Sequence, residues 1–142
     1  MMTETEQFLE QIRKYRYSRL NSPVDTKQAI LLQRELNDNG FAAIPDGFMQ
    51  ILHLSNGISC NSAVILGTFT NDPLKDIVSQ NMRFETDKDN LLLGISEMDL
   101  FVYKPQEKVY QILDRDDAAV LEEYAEDKLL KALAVFLKIS DE

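Results

Sequence analysis

The sequence is poor in the residues that build metal centres, disulfides and most nucleophilic sites. Its 142 residues include one cysteine, Cys60, one histidine, His53, and no tryptophan. A structural zinc site needs about four cysteine or histidine ligands, and a disulfide within the chain needs two cysteines. No motif places a nucleophile beside His53, so we expect a histidine without a catalytic role. The sequence therefore predicts no metal, no cofactor and no enzymatic activity.

Long hydrophobic runs are also missing. No apolar run approaches the about 20 residues that a membrane-spanning helix needs. The first residues, Met1–Gln7, carry two glutamates and no basic residue, which is unlike the basic start of a secretory signal. We therefore expect a cytoplasmic protein that has no membrane association.

Basic residues are scarce, and the acidic excess is uneven. The chain has 15 Lys and Arg against 24 Asp and Glu, a net charge of −9. Nucleic-acid-binding proteins usually carry a basic face, so we expect no nucleic-acid partner. Residues 1–71 hold 6 basic and 7 acidic residues, whereas residues 72–142 hold 9 and 17.

The densest charge lies in residues 114–127, here called the acidic segment. It holds seven acidic residues and one basic residue. Such a field accelerates the approach of a cationic partner, although a solvated helix surface also explains it. The predicted partner-binding residues are the seven acids: Asp114, Asp116, Asp117, Glu122, Glu123, Glu126 and Asp127.

Helical periodicity predicts three helices in the first part of the chain. The first runs from Thr3 or Thr5 to Leu20, and the second follows a cap at Asp25 or Thr26 and closes at Asn39-Gly40. The third begins at Pro45, because proline is favoured in a first helical turn. Asn56-Gly57 is expected to end that helix as a structural cap, with Gly57 at positive φ.

The period then changes to that of strands. Strands are predicted over residues 62–66, ended by Gly67, and over 91–95, which includes Gly94. Residues 98–103 and 108–113 are predicted to form an antiparallel hairpin around Pro105. Between the strands at 62–66 and 91–95, a short helix is predicted to begin at Asp72 or Pro73, and residues 83–90 are predicted to form a polar loop.

A long C-terminal helix is predicted from a cap at Asp116 or Asp117. Leu121, Ala125 and Leu129 would form its core face. By the i, i+4 rule, Glu122 and Glu126 share one face and Glu123 and Asp127 the adjoining one, which predicts an acidic strip.

The order of helices, strands and a final helix predicts an α+β fold with a central antiparallel sheet. The length of the chain predicts one domain over residues 1–142, with N-terminal helices in residues 1–39. No phosphate-binding loop or nucleophile elbow occurs, and the calcium-loop pattern fails because its twelfth position from Asp114 is Ala125. A small carboxylate-dependent hydrolase or small-molecule binder stays an alternative, whose sign would be a polar pocket at residues 114–117.

Residues 40–139 resemble the SUKH superfamily in the order and spacing of several motifs. These are Ile44-Pro45-x-x-Phe48-x-x-Ile51-Leu52, Ser55-Asn56-Gly57, Leu66-Gly67, Asn81, Leu92-Leu93-Gly94, the aromatic pair Phe101 and Tyr103, and Tyr110. A C-terminal helix completes the pattern. The N-terminal helix and its arginines lie outside the resemblance.

The resemblance implies an α+β fold and a non-enzymatic role. Many bacterial members of the superfamily are immunity proteins that bind and neutralise toxin domains, often nucleases, and other members are regulatory interaction proteins. Together with the acidic surface, it predicts an immunity protein whose partner is a basic toxin domain, with a regulatory or scaffold protein of the same fold as the alternative. The oligomeric state is left open, with a monomer favoured. Pro45, Asn56, Gly57, Gly67 and Gly94 are expected to be structural.

Overall fold

A computed structural model describes residues 1–84 and 90–139 of the chain. Its helices are α1 (Glu4–Arg13), α2 (Thr26–Asp38), α3 (Asp46–Leu52), α4 (Ile77–Arg83) and α5 (Leu129–Phe136). Its strands are β1 (Arg19–Leu20), β2 (Ile58–Cys60), β3 (Ala63–Ile65), β4 (Leu91–Ser96), β5 (Asp99–Lys104), β6 (Val109–Asp114) and β7 (Val120–Ala125). Short 3-10 turns precede α4 and α5.

The strands form one seven-stranded antiparallel sheet in which spatial order follows chain order, from β1 to β7. Four helices, α1 to α4, precede the long strands β4 to β7, and α5 follows them. This arrangement confirms the predicted α+β fold with N-terminal helices and a C-terminal helix. The hairpin predicted around Pro105 is confirmed as the β5–β6 pair, in which Tyr103 lies opposite Tyr110.

One face of the sheet packs against α5 through a row of aromatic rings. The ring of Phe101 lies 5.4 Å from that of Phe136 in α5 and 5.4 Å from that of Tyr110. Tyr103 continues the row at 5.0 Å from Tyr110. Gly94 faces the same layer, and a Cβ there would lie 2.9 Å from the Phe136 ring. Glycine thus lets α5 approach the sheet closely.

Three side-chain amides each pair with both backbone groups of a distant residue. Asn81 of α4 donates to the carbonyl of Leu92 and accepts from its N–H, at 2.9 and 2.8 Å. Asn56 does the same with Thr68, at 3.0 and 2.8 Å, and Gln33 with Ile44, at 3.2 and 3.0 Å. These pairs satisfy backbone groups that would be costly to bury unbonded.

Two helices end earlier than predicted. The first helix stops at Arg13 instead of reaching Leu20, because Tyr17 takes a left-handed conformation at φ 65° and Arg19 joins strand β1. The third helix stops at Leu52, with His53 at its C-cap. Pro45 directly precedes that helix, at its N-cap.

Asn56 and Gly57 therefore lie in the connection to β2, and their role as a helix cap is wrong. The positive φ of Gly57 is confirmed at 80°. Asn56 holds the backbone here through its paired hydrogen bonds with Thr68. A Cβ on Gly67 would clash with the Asn56 carboxamide.

The main error concerns the C-terminal segment. The predicted long helix begins only at Leu129, and residues 120–125 form strand β7 instead. Asp116 and Asp117 consequently cap no helix. Part of the predicted loop at 83–90 also differs, since Arg83 closes α4, while residues 85–89 lie outside the described residues.

Substituting Gly57 by valine should lower the free energy of unfolding by about 1–2 kcal/mol or more, because a left-handed backbone costs a residue with a side chain that much. A Cβ at Gly57 would also lie 2.9 Å from the carbonyl oxygen of Ile65. Urea unfolding measures the change. Gly47→Ala in α3 is the control, since its Cβ would meet only Leu129, at 3.5 Å. Equal urea midpoints for Gly57→Val and the parent would contradict the argument.

Candidate partner-binding surface

The acidic segment follows the last edge of the sheet. It begins at the end of β6, turns through residues 115–119, runs along β7 and ends in the 3-10 turn Glu126–Lys128. Within the described residues, β7 pairs only with β6. Every β7 residue is exposed except Tyr124, which is half-buried. The predicted acids thus surround an open edge strand.

The register separates the acids into different places. Glu122 lies opposite Ile112 and Glu123 opposite Gln111, so their side chains leave on opposite faces of the sheet. The six residues of β7 span roughly 20 Å, which separates Asp114, Asp116 and Asp117 from Glu126 and Asp127. The predicted acidic strip on one side of a helix is therefore wrong, because the segment is a strand.

Two of the loop carboxylates build the turn itself. Asp114 accepts hydrogen bonds from the N–H groups of Asp116 and Asp117, at 2.8 and 3.2 Å. Asp117 accepts from the N–H of Ala119 at 2.9 Å. Such bonds are typical of aspartate in tight turns. They give both residues a structural role in the turn.

Two further acids are held by uncharged neighbours. Gln111 is nearly buried, and its amide donates to Glu123 at 2.7 Å. Glu126 accepts a hydrogen bond from the hydroxyl of Tyr103 at 2.5 Å. Gln111 thereby fixes the position of the Glu123 carboxylate on one sheet face.

The tyrosines beside Glu126 are perturbed by burial and by its charge. Burial, and then the hydrogen bond and charge of Glu126, raise the pKa of Tyr103 to about 12. Burial also raises the pKa of Tyr110, with a smaller contribution from ionised Tyr103 and from Glu126. The Tyr110 hydroxyl is fully buried and has no hydrogen-bond partner among the described residues.

No basic side chain neutralises these acids within the part of the chain that the structure describes. The ion pairs there join Arg13 to Glu10 and Lys75 to Asp72. Arg115, the basic residue of the acidic segment, instead donates to the backbone carbonyl of Ser96 at 2.9 Å. The described residues therefore leave the acids of this surface without a cationic side-chain partner.

Sequence reasoning missed the apolar part of this surface. Val120 is 55% exposed and Leu121 50% exposed. Val120 lies opposite the half-buried Leu113, which in turn lies opposite Leu100. Met98, in the neighbouring hairpin turn, is 65% exposed. The pair Val120-Leu121 was the available signal, but helical spacing assigned Leu121 to a buried face.

No protein-family model matches the chain, and no curated protein matches it. Within residues 1–84 and 90–139, no cluster of three histidine, cysteine or acidic residues could hold a metal ion. No helix in the same residues is long and apolar enough to cross a membrane. His53 lies at the end of α3, where its Nδ1 is 3.1 Å from the Val24 carbonyl oxygen.

The two tyrosines offer a matched pair of substitutions. Tyr103→Phe should lower the free energy of unfolding by about 1 kcal/mol, because a hydrogen bond to a carboxylate is lost. Tyr110→Phe should leave it unchanged or raise it by up to about 1 kcal/mol, because an unpaired buried hydroxyl is removed. Urea unfolding at neutral pH measures both. A larger loss for Tyr110→Phe than for Tyr103→Phe would contradict this assignment.

The raised pKa of Tyr103 also predicts alkaline sensitivity. The folded-state pKa of about 12 lies above the ordinary value of 10, so the unfolded state releases its proton first as the pH rises. The corresponding stability is fully present below pH 10 and is lost between about pH 10 and 12. The pH dependence of unfolding should be shallower in Tyr103→Phe over that range. Parallel curves for the parent and the variant would be the contrary result.

Proposed function

We propose that this protein is a non-enzymatic binding domain that neutralises a basic toxin domain. The observation that carries the proposal is the β7 surface, where exposed Val120 and Leu121 lie among acids without ion pairs in the described chain. Protein interfaces commonly combine an apolar centre with a polar rim. The acidic rim fits a cationic partner, which would relieve the repulsion among the carboxylates.

The likeness to the SUKH superfamily supports the same function. Its motif residues fill internal positions: Asn81 pairs with Leu92, and Phe101, Tyr103 and Tyr110 form the ring row under α5. These residues build the fold and leave the outer edge free for recognition. A nuclease domain is the favoured target class, because it presents a cationic site to nucleic acid that an acidic inhibitor can cover. The protein is proposed to act as a monomer in the cytoplasm.

The decisive experiment pairs the protein with the toxin domain of a secreted protein encoded beside its gene. Co-expression should restore the growth of cells that produce the toxin domain, and the purified proteins should bind each other. Unchanged killing together with no binding would contradict neutralisation. Binding without rescue would also contradict it and would favour a regulatory interaction protein of the same fold.

Association with that toxin domain should depend on the β7 charges. Glu122→Gln combined with Glu123→Gln should lower the association rate constant by about tenfold and change dissociation less, because rim charges mainly steer encounter. Raising the salt from 0.1 to 1 M should slow association as well, since the screening length falls from about 10 to about 3 Å. Biolayer interferometry measures both rate constants.

The matched control removes the same charge from α2, through Glu35→Gln and Asp38→Asn, both at exposed positions. This control should bind with nearly the parent's rate constants. An equal loss in both double variants would assign the effect to net charge, and unchanged binding in the β7 variant would place the interface elsewhere.

A further inference from the structure

Strand β7 is the long open edge of this sheet. A strand at the end of a sheet presents unpaired backbone N–H and C=O groups along its outer side. The opposite edge strand, β1, has two residues, whereas β7 has six. Among the described residues, β7 has no strand on its outer side. Its backbone can therefore donate hydrogen bonds to another extended chain and accept them from it.

The charges on β7 determine which kind of extended chain can pair with this edge. A second copy pairing edge to edge would bring its own Glu122 and Glu123 against these residues, and like charges facing each other across strands are destabilising. A register shift at Leu121 further interrupts regular pairing. Both features protect the edge from self-association, and the two carboxylates favour a segment that carries positive charge.

We propose that β7 binds an extended segment with two consecutive lysine or arginine residues, which adds to the sheet as an outer strand. This inference rests on the proposed function, since the segment would belong to the basic partner. Glu122 and Glu123 leave on opposite faces of the sheet, and two adjacent residues of an added strand do the same. One cation therefore meets each carboxylate.

Neighbouring contacts strengthen this match. Gln111 holds the Glu123 carboxylate at 2.7 Å, so little side-chain freedom remains to be lost there when a cation binds. Val120 and Leu121 precede the acids, so an apolar side chain beside the basic pair would cover them. The recognised pattern is a basic pair flanked by β-branched or other apolar residues.

A synthetic ten-residue peptide with a central Lys-Arg pair between valines and threonines provides the probe. Its control carries N-methyl groups on the four central amides, which removes backbone donors and leaves the charge unchanged. The unmethylated peptide should bind at least about tenfold more tightly, since a few backbone hydrogen bonds of about 1 kcal/mol each separate the two. Amides of β7 should also become protected from hydrogen exchange.

Variants of the protein complete the test. Glu122→Gln combined with Glu123→Gln should weaken the unmethylated peptide about tenfold or more, whereas Glu35→Gln with Asp38→Asn should not. Equal affinity for both peptides, no affinity at 1 mM, or binding without protection of β7 amides would each overturn strand addition. The proposed function would stand in those cases if the toxin domain still bound and was neutralised.

Discussion

Buried backbone groups need partners, and in this fold three side-chain amides supply those that the short strands do not. Strand β3 has three residues and the neighbouring β4 has six, so β3 ends before the position opposite Leu92. There the Asn81 carboxamide pairs with the Leu92 backbone instead. The same bonds fix α4 beside the sheet. In the same way, Gln33 pairs with Ile44 just before α3, and Asn56 just after α3 pairs with Thr68. The positions of the helices around the sheet therefore depend on amide geometry as well as on apolar packing.

Much of this arrangement was predictable from local signals. Helix α2 begins at Asp25, one of the two expected caps, which forms a reciprocal capping box with Gln28. Strands β4 to β6 show apolar runs and a clear turn. Strand β7 shows neither, because an edge strand that is exposed on both faces has no apolar alternation. Its spacing of Leu121, Ala125 and Leu129 matches a helix by coincidence, and the real helix begins only at the last of these.

For the candidate surface, the sequence predicted where the acids lie along the chain but not how they are arranged in space. Composition alone locates the acidic residues, since charge density needs no structure. Their arrangement depends on whether they occupy a helix or a strand, and the error about β7 therefore misplaced every side chain of Glu122 to Asp127. Glu123 accepts its hydrogen bond from Gln111 of β6, and Glu126 accepts one from Tyr103 of β5. Such cross-strand pairs have no signature in a single sequence.

The sheet's order along the chain has a consequence for how the protein folds. Each strand pairs with its neighbours in sequence, so most pairings close short loops, which costs little entropy and favours rapid folding. The β1–β2 and β3–β4 pairs are the exceptions, because α2 and α3 lie in the chain between the first pair and α4 in the chain between the second. Strand β7 can join last, onto a finished β6, and its departure would leave the remaining strands paired. A partner at β7 would thus meet an edge of the sheet whose loss leaves the other six strands paired.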